Sequence, residues 1–227
     1  MNKLPVLFLI VMFLSSCNEG VVTFNGGDSK VRFINEVSRS QNVDILLDKS
    51  AIISNADFNK PTSYVTLTAG ITQILEMRDN KDTNSFTRTL ARQGYVFAID
   101  AHYTIVARGF DRTGYLKPIL DTLTSPFNDS TAIRLINTSE QLLSGNISIN
   151  GKKMFNRSLE SADYTKYLVP SAYGSVSINA LDADNKDSVV TTITATLQQK
   201  EVYYIIIYDK PNNGGIGLSV FSTRESL

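Results

Sequence analysis

The sequence predicts an all-β protein built from two tandem Ig-like antiparallel β-sandwiches, and three observations support this fold class. Residues alternate with a period of two in short runs; for example, Val31 and Phe33 share one face of a strand, and Arg32 and Ile34 share the other. The runs are rich in β-branched and aromatic residues and are bounded by Gly, Asn, Asp and Pro. Finally, a unit of about 100 residues occurs twice. A unit of that length is a whole domain, because solenoid repeats have periods of roughly 20 to 50 residues.

Corresponding segments of the two copies show the repeat. Val-Arg-Phe-Ile-Asn at 31–35 recurs 102 residues later as Ile-Arg-Leu-Ile-Asn at 133–137. The tetrapeptide Asp-Asn-Lys-Asp at 79–82 returns intact at 184–187, where the offset has grown to 105. Small changes of offset are what loop insertions between strands produce. Each copy is therefore expected to hold six or seven short strands.

The domain limits follow from the repeat and from the turn residues. We expect the first sandwich over residues 30–127 and the second over 128–227, with the boundary in the segment near Pro126 to Asp129. Only two segments have any helical character. Ile71 to Arg78 is interpreted as a strand, and Ser158 to Ala162 is a weak helix candidate.

The N-terminus predicts a lipoprotein signal peptide over residues 1–16. Lys3 precedes an apolar run from Leu4 to Leu14, which is too short for a membrane-spanning helix of roughly 20 residues. The run ends in Leu14-Ser15-Ser16-Cys17, which resembles the bacterial lipobox. In that motif small residues allow the signal peptidase to cleave, and the cysteine thiol receives the diacylglycerol. The alternative is an ordinary cleaved signal peptide followed by an incidental free thiol.

An acylated Cys17 would make the membrane the first partner of this protein. Several acyl chains, at about 0.8 kcal/mol per buried CH₂, give effectively permanent attachment. Residues 17–29 then form the lipidated N-terminus and a flexible, Gly-containing tether. Asn18 stands where Asp would resemble an inner-membrane retention signal, so the outer membrane is predicted, with the module facing the periplasm or the cell surface.

The strand motifs resemble a known family. The segment 31–35, the Val-Asp-Ile-Leu-Leu-Asp run at 43–48, Tyr64 ahead of Ala69-Gly70, and Tyr-Thr-Ile-Val-Ala-Arg-Gly at 103–109 look like the bacterial domain of unknown function 4397. The resemblance extends from Lys30 to the C-terminus in two copies. It implies an Ig-like sandwich on an exported protein. The family has no established activity, so the resemblance transfers no functional residues.

The first copy departs from the family pattern directly after its first strand motif. Glu36-Val37-Ser38 stands where family members carry Ala-Ser-Pro. The second copy departs in its second strand, where Ser148 and Asn150 replace a Tyr and an Asp.

Composition excludes several classes of function. The 22 basic residues balance the 22 acidic ones with no basic cluster, so no nucleic-acid partner is expected. One His and one Cys are too few for a His/Cys metal centre, a CxxC redox motif or a disulfide framework. No cofactor, no metal and no enzymatic activity are predicted.

Two groups of residues are candidates for a catalytic or a metal-binding site. His102 is the single histidine, and the sequence has neither a GxSxG nor an SxxK motif to accompany it, so a solvated or core-edge imidazole is expected. Asp182, Asp184 and Asp187 resemble half of a Ca²⁺ loop, but Lys186 interrupts them. A solvated hairpin tip is the preferred interpretation.

Arginines and tyrosines are the remaining candidate ligand contacts. Arg32 and Arg134 occupy equivalent positions and could bind an anionic group, but a cross-strand pair or a snorkelling side chain is the favoured interpretation. Tyr164, Tyr167 and Tyr173 could stack on a sugar ring. The absence of Trp weakens that idea, so strand packing is favoured.

The function predicted from these observations is a non-catalytic cell-envelope lipoprotein that serves as an interaction or structural module. A surface adhesin or carbohydrate-binding lipoprotein is the alternative, with Tyr164, Tyr167 and Tyr173 as its ligand contacts. The expected partners are the membrane, through acylated Cys17, and an envelope protein or a surface glycan.

Overall fold

The structure is a computed structural model that describes residues 26–81, 89–110, 113–121, 130–169 and 173–223. The predicted signal peptide, Cys17, most of the tether and the boundary near Pro126 lie outside these residues. The first sandwich contains β1 (Asp28–Val37), β2 (Asn42–Leu47), β3 (Ser50–Asp57), β4 (Val65–Thr68), β5 (Thr72–Asp79), β6 (Thr89–Val96), β7 (His102–Phe110) and β8 (Thr113–Leu120). The second contains β9 (Ala132–Asn137), β10 (Ser144–Ile149), β11 (Lys152–Lys153), β12 (Leu159–Glu160), β13 (Asp163–Tyr164), β14 (Gly174–Asp182), β15 (Ser188–Leu197), β16 (Val202–Asp209) and β17 (Ile216–Ser222).

The all-β prediction is confirmed. The segment 71–78, interpreted as a strand, is β5, and the weak helix candidate Ser158 to Ala162 is instead β12 followed by a turn. The first strand begins at Asp28, two residues before the expected start of the first sandwich. The described residues contain one short 3₁₀ turn, Pro211–Asn213, and no helix among them is long and apolar enough to cross a membrane.

Four sheets form the two sandwiches. In the first, sheet I has the order β4-β1-β7-β8 and faces sheet II, β3-β2-β5-β6. In the second, sheet III has the order β13-β9-β16-β17 and faces sheet IV, β11-β10-β14-β15, with β12 paired to β10. The two sandwiches thus share one strand order.

Each sandwich departs from the antiparallel arrangement at one strand pair. β1 runs parallel to β7, and β9 runs parallel to β16, whereas every other named pair is antiparallel. A parallel pair needs a long crossover. Here the strands of the opposite sheet supply it, because the chain passes through sheet II or sheet IV before it returns beside its first strand.

Each sandwich has its own apolar core. Val31 and Phe33 of β1 point into the first core, and Ile133 and Leu135 of β9 point into the second. The residues of β1 that point to the opposite face are buried as well: Arg32 is 4% exposed and Ile34 is fully buried, so both faces of this strand are covered. A strand buried on both faces must contact a further layer of structure on its outer side.

At Gly114 the two sheets of the first sandwich come close together, along the seam between β6 and β8. A Cβ atom there would lie 2.6 Å from the backbone oxygen of Leu90 and 2.7 Å from the Cε atom of Met77. The Tyr95 hydroxyl of β6 donates a hydrogen bond to the Leu116 backbone oxygen of β8 near this point. The close approach therefore requires a residue without a side chain.

We expect Gly114→Ala to destabilise the first sandwich by about 2 kcal/mol, because the added methyl group overpacks the seam against backbone that cannot move away. Gly94→Ala is the matched control, since a Cβ atom there meets only Thr72 Cγ2, at 3.5 Å. Its stability should stay within about 1 kcal/mol of wild type. Differential scanning calorimetry measures both, and equal effects of the two variants would contradict the steric explanation.

Candidate functional site

The outer faces of sheets I and III pack against each other, and this contact is the interdomain interface. Its centre is apolar, with both sandwiches contributing branched side chains on either side of a buried tyrosine. The buried members are Ile34, Val106, Ile119, Ile136, Tyr204 and Ile206. The two domains are therefore joined by a packed layer as well as by the chain itself.

Arg32 and Arg134 make corresponding hydrogen bonds across this interface. Arg32 Nη1 donates to the backbone oxygen of Ser222 at 3.5 Å, and Arg134 Nη1 donates to the backbone oxygen of Leu120 at 3.0 Å. The two arginines are 102 residues apart in sequence, and so are the two acceptors. The two sandwiches thus contact each other through equivalent patches, as subunits do in an isologous dimer.

The position of these arginines differs from the sequence expectation. Arg32 is 4% exposed and Arg134 is 7% exposed, so neither side chain snorkels to solvent. Each also hydrogen-bonds to its register neighbour on the adjacent strand, Arg32 Nε to Thr104 Oγ1 at 2.9 Å and Arg134 Nη1 to the Tyr204 hydroxyl at 3.4 Å. The cross-strand pairing expected from the sequence is therefore present, whereas the snorkelling alternative was wrong because the other sandwich covers the outer face of the strand.

Tyrosine rings enclose both guanidinium groups. The Arg134 guanidinium carbon lies 3.9 Å from the Tyr167 ring centroid and 5.4 Å from that of Tyr164. The Arg32 guanidinium carbon lies 5.0 Å from the Tyr64 ring centroid. A cation over a desolvated aromatic face is attracted by the ring quadrupole. The rings thus compensate part of the cost of burying these charges.

The three tyrosines singled out from the sequence lie in two environments. Tyr164 and Tyr167 are half-buried, pack against the interdomain interface and turn a ring face to Arg134. Tyr173 is 62% exposed. Two of the three rings thus pack within the protein, in line with the favoured interpretation.

Asp121 is the hydrogen-bond hub of the interface. Its Oδ2 atom accepts bonds from the hydroxyls of Tyr64, at 2.7 Å, and Thr104, at 2.8 Å, while Oδ1 accepts one from the Tyr204 hydroxyl of the other sandwich. Arg32 Nε donates to Thr104 Oγ1 at 2.9 Å, which links the guanidinium to the network. Burial and the nearby Asp121 charge raise the pKa of both tyrosine hydroxyls, so they remain protonated donors.

Glu36 is a buried carboxyl that has no hydrogen-bond partner among the described residues. It lies on the interface side of β1, is 3% exposed, and neither of its oxygens is hydrogen-bonded to a described residue. Burial raises the pKa of Glu36 well above its usual value, and burial together with the Glu36 charge raises the pKa of Tyr208 in the other sandwich. Arg108, its register neighbour, donates to Ser161 Oγ at 2.8 Å. The neutral form of Glu36 is therefore favoured in the folded protein.

His102 and the aspartate loop have local structural roles. The His102 ring lies 5.4 Å from the Tyr64 ring, and within the described ranges no hydroxyl or carboxylate hydrogen-bonds to its imidazole. Asp182 Oδ1 accepts from the backbone N–H groups of Asp184 and Asn185, which closes the β14–β15 hairpin turn. Asp187 has a φ of 56° in this turn and pairs with Lys153.

An open depression of about 480 Å³ lies beside the second sandwich. It offers three hydroxyl groups, two carboxylates and an exposed leucine, from Leu143, Ser144, Ser158, Glu160, Ser161 and Asp184. Among the described residues, no group of three or more His, Cys, Asp or Glu side chains is placed to hold a metal ion.

The sequence analysis missed Asp121 and Tyr204, which are central to the interface. Asp121 directly follows the last strand of the first copy, and its counterpart 102 residues later is Thr223. The signal for the interface was present, since Ile34 and Ile136 put an apolar residue on the outer face at equivalent positions. Glu36 departs from the family pattern, and the sequence predicted no role for it.

Comparison with known proteins gives one family match. The sequence profile of a family described as Domain of unknown function (DUF4397) matches residues 29–144. Solved structures similar to the chain include a candidate cell adhesion protein from Bacteroides uniformis, with 7% identity over 87% of this chain and 98% of that chain, at a TM-score of 0.24. Another candidate cell adhesion protein, from Bacteroides fragilis, has 9% identity over 87% and 99%, at a TM-score of 0.21. No curated protein matches the chain.

We expect Asp121→Ala to weaken the interdomain interface by about 3 kcal/mol, because the hydroxyls of Tyr64, Thr104 and Tyr204 would lose their shared buried acceptor. In calorimetry the single cooperative transition expected of the wild type should split into two. Lys153→Ala is the control, because it removes an ion pair whose side chains are 40% and 39% exposed. One unsplit transition with an unchanged midpoint in Asp121→Ala would contradict the role of the hub.

We expect Glu36→Gln to stabilise the protein at pH 8 and to have little effect near pH 4. The pKa of Glu36 is higher in the folded protein than in the unfolded chain, so the wild type loses stability as the pH rises from the unfolded pKa to the folded pKa. Gln cannot ionise, so the variant does not lose this stability. Melting temperatures over this pH range provide the measurement.

Glu76→Gln is the opposite-sign control for this experiment. The hydrogen bond from Arg78 Nε, at 2.6 Å, lowers the pKa of Glu76. Loss of the Glu76 charge should therefore destabilise the protein at neutral pH. The effect should shrink as the pH falls through the lowered pKa of Glu76 in the folded protein. A pH-independent effect of Glu36→Gln would mean that the carboxyl is paired.

Proposed function

The chain belongs to the DUF4397 family, and we propose that this member is a lipid-anchored protein of the bacterial cell envelope whose two β-sandwiches act as one non-catalytic interaction or structural module. In this proposal the second sandwich, which has the strand order of the first, is a further copy of the family domain. The partners bind its loops or strand edges.

The interdomain interface is the observation that carries this proposal. Arg32, Arg134 and Asp121 are the residues with the most evident capacity for ligand chemistry, and all three are buried between the sandwiches. Their hydrogen bonds hold one domain to the other. Because these charged groups make internal contacts, the arrangement favours a rigid module over a catalytic site.

Lipid anchoring rests on the sequence Leu14-Ser15-Ser16-Cys17. After cleavage the acylated Cys17 would be the first residue, and ten residues separate it from Asp28, where β1 begins. A fully extended chain rises at most about 3.6 Å per residue, so the first sandwich would lie within roughly 40 Å of the lipid surface. Asn18 favours the outer membrane for this anchor.

The glycan-binding alternative has its own support in the second sandwich. The open depression near Glu160 and Asp184 combines hydroxyl and carboxylate groups with the exposed Leu143, a set that suits sugar hydroxyls and a sugar ring face. Tyr173, which is 62% exposed, is the third residue named for this role from the sequence. This alternative requires the module to face the outside of the cell.

We expect the wild-type protein to incorporate labelled palmitate and to sediment with membranes, and Cys17→Ala to do neither, because Cys17 is the only cysteine. Ser15→Ala is the matched control: it keeps a small residue before the cleavage site and should be anchored like wild type. The anchor proposal fails if Cys17→Ala still fractionates with membranes.

Protease treatment of intact cells separates the two orientations in the same strains. Digestion of the module in intact cells would place it outside and favour the adhesin or glycan-binding function. Protection until the envelope is opened would place it in the periplasm and favour an envelope partner.

A further inference from the structure

β15 is the edge strand of sheet IV, on the side of the sandwich where sheet III ends in β17. One side of β15 pairs with β14, along Gly174 to Asp182. Within the described ranges, residues 189–197 make backbone hydrogen bonds with β14 alone. At ten residues, β15 is one of the two longest described strands, and it contains no charged residue, no Gly and no Pro.

The outward side chains of β15 are also suited to strand pairing. Thr192, Thr194 and Thr196 are exposed, and the residues between them pack toward the second core. Val189 is 58% exposed and Val190 is 37% exposed. β-Branched residues are the ones that favour an extended, pleated backbone.

The other described edges carry features that oppose pairing. β8 contains Pro118, and β3 has two register shifts and a residue with positive φ, Asn55. β4 has four residues, and β11 and β13 have two each. β17 is also uncharged, but it has only seven residues, one of which is a glycine, and its last carbonyl accepts the Arg32 bond at the interdomain interface. Short length, Pro, charge and irregular register are the means by which proteins protect sheet edges.

The most informative comparison is with β6, which occupies the same place in the first sandwich. β6 carries Arg92 in its middle and Gly94 two residues later, whereas β15 has Thr and Ile at its centre. Two sandwiches with one strand order therefore differ in the protection of the same edge.

We propose that β15 is an interaction edge through which two copies of this chain pair, β15 to β15, in antiparallel register. β15 contains no charged residue, so two copies of this strand can meet without charge repulsion along the edge. Antiparallel self-pairing places β-branched residues opposite one another about a two-fold axis, which stabilises cross-strand pairs. Sheet IV would be extended, and the interdomain interface on sheet III would remain intact.

Site-specific disulfide formation in membranes tests this proposal on the full chain. We expect Thr194→Cys to give a disulfide-linked dimer on mild oxidation, with wild type showing any background from Cys17. Gln93→Cys, on the protected β6 edge, is the matched control and should stay monomeric. Adding Thr192→Lys to Thr194→Cys should lower the dimer yield roughly fivefold, because like charges then lie close together across the pair.

Three outcomes would overturn the proposal. The first is a Thr194→Cys protein that reacts with maleimide, and is therefore accessible, but forms no dimer. The second is a crosslink to a protein of different mass, which would show that another chain occupies the edge. The third is equal dimer yield from Gln93→Cys, which would indicate crowding in the membrane. The wild-type control keeps these results separate from the fate of Cys17.

Discussion

The packing of sheet I against sheet III is the contact on which the rest of the structure depends. β1 and β9 are buried on both faces, which a single sandwich cannot achieve, so each needs a layer on its outer side. The two sandwiches supply that layer to each other. Because Arg32 and Arg134 lie on those same faces, the packing also buries two guanidinium groups, which then require acceptors and aromatic contacts. Asp121 and the tyrosine rings meet that requirement.

Several polar groups are buried in the interface beside its apolar centre. Atoms of Arg32, Arg108, Arg134 and Ser219, as well as both oxygens of Glu36, are buried there without a hydrogen bond to a described residue. A buried ionic network of this kind contributes less stability than an apolar layer of the same volume. It does restrict the ways in which two flat sheets can be placed on each other, because each guanidinium must reach one particular carbonyl. Fixing the relative position of the domains is therefore the role that best accounts for these residues.

Strand positions could be predicted from the sequence because alternation, turn residues and a domain-length repeat all reflect local chemistry. The parallel pairing of β1 with β7 could not, since a parallel strand and an antiparallel strand have the same period of two. The interface was hidden for a related reason. Ile34 and Ile136 signalled a buried outer face, but the neighbouring arginines gave that face the appearance of a solvated one. Asp121 and Tyr204 come together only in the folded chain, so no spacing in the sequence could have revealed their contact.

The interface also decides which surfaces remain for partners. Sheets I and III use their outer faces on each other, which leaves the outer faces and edges of sheets II and IV, together with the loops. These remaining surfaces are not equivalent in the two sandwiches, since β6 is protected by Arg92 and β15 is not protected by any charge. The first sandwich follows directly on the proposed tether, and the second lies beyond it in the chain. The two sandwiches share one strand order, but they offer different edges to a partner.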